Sequence, residues 1–247
     1  MTQQPEEPAT GDGTETSDDA TGPEAPTLPE DLLLLLFQPD SGTIAGENTL
    51  FYVLAGAVLA DLALDERVTT TASATGSVKV EAVEGRAPMD EVLRSAWDYV
   101  EGKPRGVQTV LAAIGPALRE PLLERLIARG DIRKQRRKAL GLFTTTALVD
   151  GANGRRVGLL SDVRGVLVDG TEPTPRIAAL AALIWGSGTL PQFHRDIPWT
   201  SSVITRAQEL ERGNWGASAA AHAVTRTMTA IIASSVIIAT AALPRNT

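Results

Sequence analysis

Five leucines and a phenylalanine stand side by side at Leu32–Phe37. An amphipathic helix or a half-exposed strand keeps one face polar, and this run has no polar face, so the element formed there is enclosed on all sides. The residues before it identify the element. Thr27-Leu28-Pro29-Glu30 supplies an N-cap threonine, a first-turn proline and a glutamate three positions on, the pattern of a capping box. A short buried helix is therefore expected from Thr27, far shorter than the about 20 residues that cross a bilayer. Pro39-Asp40-Ser41-Gly42 marks a turn after it.

A helix buried on every side needs others packed around it, and the chain offers them. Leu50–Leu64 is apolar with Ala55 and Gly56 for close packing, and it ends at Asp65-Glu66-Arg67. Val68–Thr71 and Val78–Val80 read as short strands. Asp90–Val100 puts Val92, Leu93, Ala96 and Val100 on one helical face. Helices follow over Val107–Ile114 and Leu118–Ala128, with Gly130 as the stop signal. Further helices are expected at Arg156–Val168, from Pro175 through Trp185, at Ser201–Arg212 and at Ala217–Leu243. In the last, 17 uncharged residues run from Thr227 to Leu243, short of a bilayer span, so a buried core helix is expected. Trp97, Trp185, Trp199 and Trp215 are expected in the core. The fold class is mainly α: a single domain, 27–247, with a core helix bundle, short strands and a projecting β-hairpin.

Charge is unevenly distributed. Residues 1–31 hold nine carboxylates and no Lys or Arg, and without them the chain has 21 acidic against 23 basic residues. The formal charge of -7 thus belongs to the start of the chain. Residues 1–26 have almost nothing apolar to bury and are expected to be a disordered acidic tail. The start lacks a basic and an apolar signal region, which points to a cytoplasmic chain.

Several chemistries are disfavoured. The chain has no cysteine, which removes disulfides and thiolate-zinc sites. His194 and His222 have no metal-ligand spacing. Gly151-Ala152-Asn153-Gly154 is a turn without the Gly-x-Gly-x-x-Gly spacing of a phosphate cradle. No Ser-His-Asp spacing or paired carboxylates suggest hydrolysis, so no catalytic residue, metal or cofactor is expected.

The segment with chemical character is basic. Leu118–Lys138 contains Arg119, Arg125, Arg129, Arg133, Lys134, Arg136, Arg137 and Lys138 against three carboxylates, and Leu140, Leu142 and Phe143 follow at once. Residues 132–146 read as a β-hairpin or extended loop with basic flanks and an apolar tip. Cations followed by an apolar tip suit an anionic membrane surface, where charge attraction and burial add. Two other readings share the pattern. A helix followed by a basic strand pair is also how a winged-helix wing reads, and its arginines would contact nucleic-acid phosphates. Leu54–Val68 echoes that helix-turn-strand order. An exposed hairpin edge is also a surface for protein partners or self-association. The body is close to neutral and a wing has no need of an apolar tip, so nucleic acid ranks below lipid.

The order of the pieces, LPEDLLLLLF, then LFYVLAGAVLADLALDERV, then LLERLIARGDI before an apolar hairpin, resembles the Golgi phosphoprotein 3 family over about Leu28–Leu243. The arginine-rich composition fits a bacterial member. The resemblance implies a mostly α fold with a four-helix core, a hairpin directed at a membrane, and binding of phosphatidylinositol 4-phosphate headgroups at the inner, cytoplasmic face without spanning it. The family pattern places a Trp and an Arg where this chain has Gly46 and Ala55, and two Arg where it has Pro116 and Arg119. With Arg119 the one match, the resemblance implies a general anionic-lipid binder. Its headgroup-binding residues would be Arg119, Arg133, Lys134, Arg136, Arg137 and Lys138, and its inserting tip Leu140, Leu142 and Phe143.

Overall fold

A computed structural model describes residues 25–72, 77–139, 143–213 and 222–241. The acidic tail expected over 1–26 falls almost wholly outside the described residues, as do Leu140, Leu142 and Trp215.

The leucine run forms α1 (Leu28–Leu36), in which all nine residues are buried. The Glu30 carboxylate accepts from the Thr27 N–H and from the Thr27 hydroxyl, each at 2.8 Å, which closes the first turn. Around α1 lies a core built on α2 (Leu50–Leu64), which is touched by α1, α4 (Val107–Ile114), α7 (Pro175–Gly186) and α9 (His222–Ala241). Gly56 makes the α2–α9 approach possible: a Cβ there would lie 2.7 Å from Ser235 Oγ. The remaining described α-helices are α3 (Glu91–Val100), α5 (Arg119–Ala128), α6 (Arg155–Leu167) and α8 (Ser201–Glu211). Among the described residues no helix is long and apolar enough to cross a membrane.

Strands are few and antiparallel. β1 (Phe37–Gln38) pairs with β2 (Thr43–Ile44), and β3 (Val68–Ala72) with β4 (Val78–Ala82), to which β5 (Arg105–Gly106) adds a short edge. β6 (Ile132–Ala139) pairs with β7 (Phe143–Asp150) in a separate two-stranded ribbon.

The echo between two helix-turn-strand segments is borne out at backbone level. At the end of α2, Arg67 N–H donates to Leu62 O (2.8 Å) and Glu66 N–H to Ala63 O (3.1 Å). At the end of α5, Asp131 N–H donates to Leu126 O (2.9 Å) and Gly130 N–H to Ile127 O (3.0 Å). Both are Schellman ends, with Glu66 at φ 54° and Gly130 at φ 77° in the left-handed position. Each then feeds an antiparallel ribbon.

One expectation about the core is corrected. Trp97 is buried and donates to Arg67 O (3.1 Å), and Trp185 is partly buried. Trp199 is not in the core: it is 50% exposed and stacks on Trp185 at 6.1 Å. It follows Pro198 in the connecting segment just before α8, two residues after the buried Ile197.

Candidate functional site: a basic arm on a buried ionic root

The ribbon β6–β7 begins where α5 ends. Ile132 is fully buried, and its register partner is Asp150. Asp131, just before it, is 1% exposed and is the anchor of the root. Its carboxylate pairs with Arg155, the first residue of α6, and accepts from Asn153 Nδ2 at 2.6 Å. The same Arg155 guanidinium pairs with Asp31 of α1. Asp31 in turn takes Arg176 of α7 (2.5 Å), which also reaches Asp61 of α2 at 3.6 Å. Asp61 accepts the Leu28 N–H at 2.7 Å. Burial pushes the Asp61 carboxyl up from an ordinary 3.8 to about 6, against the opposing pull of that N–H and of Arg176. The arm is thus tied through shared carboxylates to α1, α2, α6 and α7.

Backbone packing closes the root as tightly. Gly151 N–H donates to Asp131 O at 2.8 Å, and a Cβ on Gly151 would lie 1.6 Å from Gly130 O. On the other side, a Cβ on Gly42 would lie 2.6 Å from Leu148 O, so the β1–β2 turn is wedged against β7.

Beyond the root the arm is polar and open. Arg133, Lys134, Gln135 and Arg136 are all exposed. Eight paired positions per strand make an arm of about 25 Å. The register sets Lys134 opposite Leu148 and Arg136 opposite Thr146 on one face, and Arg133 opposite Val149 and Gln135 opposite Ala147 on the other. Arg137, Lys138 and Phe143 lie on the paired backbone, and their side chains are outside the described residues. In β7 the charged residue is Asp150, at the root.

The structure divides the eight cations of the sequence cluster. Arg125 pairs with Asp90, and Arg129 with Glu30, so both belong to the body. Arg119 sits at the far end of α5, about 15 Å of helix from Arg129. Its guanidinium meets Glu47 at 2.9 Å and Glu120 at 2.6 Å. Ala55 is fully buried in the core, and Gly46 packs near Thr189. Arg119 therefore does not join the arm's cations. The pairing with Glu47 was missed in sequence because the two lie 72 residues apart.

A second feature had no sequence signal. A cavity of about 320 Å³ opens between the β1–β2 turn, the start of α6 and residues 192–196. Arg156 lines it, donating Nε–H to Phe37 O (3.0 Å) and Nη2–H to Leu35 O (3.3 Å). Burial lowers the pKa of this guanidinium, opposed by Asp150, Asp196 and Asp40. Among the described residues no group of three His, Asp or Glu side chains is placed to hold a metal.

These features define a class: a mainly α protein whose helical core carries one long antiparallel arm on an ionic root. The sequence model of the Golgi phosphoprotein 3 (GPP34) family matches residues 28–227, and the chain belongs to that family. No curated protein matches it.

Proposed function

We propose that this protein is a peripheral membrane protein that docks on anionic lipid headgroups through its basic arm, and that it is a binding protein without catalytic activity. One observation carries the reading: four successive exposed residues of β6, three of them cations, stand on an arm whose partner strand offers no carboxylate beyond Asp150. Counting Arg137 and Lys138, five cations at about 1 kcal/mol each near an anionic surface supply about 5 kcal/mol. Leu140, Leu142 and Phe143 add apolar insertion at the turn. The lipid is a general anionic one, because Arg119 is held by two carboxylates and Gly46, Ala55 and Pro116 offer no side-chain donor to a headgroup. The site of action is the cytoplasmic face of a membrane.

Co-sedimentation with vesicles tests this. Lys134→Glu with Arg136→Glu removes and inverts two charges, which amounts to about 4 kcal/mol, close to a thousandfold in affinity for anionic vesicles. Wild type should bind phosphatidylglycerol vesicles, ignore neutral ones and weaken as salt rises. Tight binding to duplex DNA with no vesicle association would replace the lipid reading with the winged-helix one.

A further inference from the structure

The cavity beside the arm has a charge pattern of its own. Arg125, Arg129, Arg155 and Arg176 each meet a carboxylate within the protein. Arg156 is half-buried and forms no ion pair among the described residues: its two hydrogen bonds go to backbone carbonyls, and Asp150, Asp196 and Asp40 act on it only through space. A half-buried guanidinium with no carboxylate in contact keeps N–H groups open to a further acceptor. The exposed Asp196 lines the same cavity, and among the described residues its carboxylate has no hydrogen-bond or ion-pair partner. The other two charges at the rim, Arg195 and Asp40, satisfy each other at 2.7 Å. Among the charged side chains that line it, Arg156 and Asp196 then remain without an ion-pair partner, and Gln38, Gln192 and His194 line the cavity as well.

A simple anion fits this badly, because it would meet Asp196. A simple cation would meet Arg156. A small zwitterion meets both. We propose that this cavity binds a phosphoethanolamine headgroup, its phosphate on Arg156 and its ammonium on Asp196. The two carbonyls of Leu35 and Phe37 fix the guanidinium plane, which leaves the remaining N–H groups oriented for phosphate oxygens. A primary ammonium has three donors for a carboxylate, whereas the quaternary ammonium of choline has none, so the cavity distinguishes the two headgroups. Its position also fits a lipid. The β1–β2 turn that forms its rim is the one wedged against β7, so the cavity flanks the stem of the arm. The inference rests on the docking reading for its lipid source and not for its chemistry.

The experiment uses the full chain and vesicles of equal anionic content, phosphatidylglycerol with either phosphatidylcholine or phosphatidylethanolamine. Wild type should bind the phosphatidylethanolamine vesicles roughly fivefold more tightly, the yield of one charge-assisted contact discounted for solvent. Because the Asp196 carboxylate bonds to none of the described residues, Asp196→Asn should fold normally and lose that preference while keeping its affinity for phosphatidylglycerol. Arg156→Gln should lose it as well. Equal binding of wild type to both vesicles overturns the proposal, and so does a preference that survives in Asp196→Asn, since bilayer curvature alone would produce it. If no vesicle binds, the docking reading has failed and the cavity is decided by titration calorimetry with soluble phosphoethanolamine. Heat that vanishes in Asp196→Asn then supports the cavity with a free ligand, and no heat overturns it.

Discussion

Arg155→Met isolates the ionic root. In the folded protein Arg155 serves two carboxylates, Asp31 at 5% and Asp131 at 1% side-chain exposure. Its removal is not symmetrical. Asp31 keeps Arg176 at 2.5 Å, whereas among the described residues Asp131 keeps only the Asn153 amide at 2.6 Å. Breaking a buried pair from one side costs about 3–5 kcal/mol, because a desolvated charge is left behind. The surviving amide hydrogen bond offsets about 1 kcal/mol of that. A net loss of about 3 kcal/mol follows, and with a urea m-value of about 2 kcal/mol/M the midpoint should fall by about 1.5 M. The decisive arm is the double variant. Asp131→Asn in the Arg155→Met background removes the stranded charge and should recover about 2 kcal/mol, although the same change in the wild type destabilises. Urea unfolding followed by far-UV circular dichroism measures all four proteins. A loss under 1 kcal/mol for Arg155→Met, or no recovery in the double variant, would refute the account of the root as a charge-compensated anchor.

Two glycines that meet at the root should respond differently. Gly151→Ala forces a Cβ to within 1.6 Å of Gly130 O, so the root must open, and a loss of about 3 kcal/mol or more is expected in thermal or urea unfolding. Gly130→Ala meets no atom within 4 Å and suffers only its left-handed backbone, about 1–2 kcal/mol. Asp61 makes stability depend on pH. Its folded pKa of about 6 stands above the ordinary 3.8, so the folded state holds the proton more tightly. Stability therefore falls as pH rises from about 4 to about 6 and is level above, by up to about 3 kcal/mol. Asp61→Asn, which can still accept the Leu28 N–H, should lose that slope when urea midpoints are compared at pH 4.5, 5.5 and 7.

The helices were legible because their signals are local. Leu50–Leu64 and Val107–Ile114 form over the predicted spans, and Asp90 caps α3 by accepting from Val92 N–H and Leu93 N–H. The capping box at Thr27 and the stop at Gly130 depend on residues three or four positions away, within reach of the backbone itself. The arm was legible for the same reason, since a ribbon joins near neighbours in the chain. Which cations stand free on it was not. Arg119, Arg125 and Arg129 look like members of one basic cluster, and the fold gives them Glu47, Asp90 and Glu30 as partners.

The physical division is between backbone and charge. Backbone hydrogen bonding and apolar burial are set by short-range pattern, so the sequence by itself determined a buried leucine helix, a helical core and a hairpin after α5. Coulombic pairing depends on distance in space and on how much water is excluded, and neither is written in the local sequence. Only the tertiary structure joined Asp31 to Arg155 across 124 residues, raised the Asp61 carboxyl, and brought Asp40, Arg156 and Asp196 from three segments around one cavity.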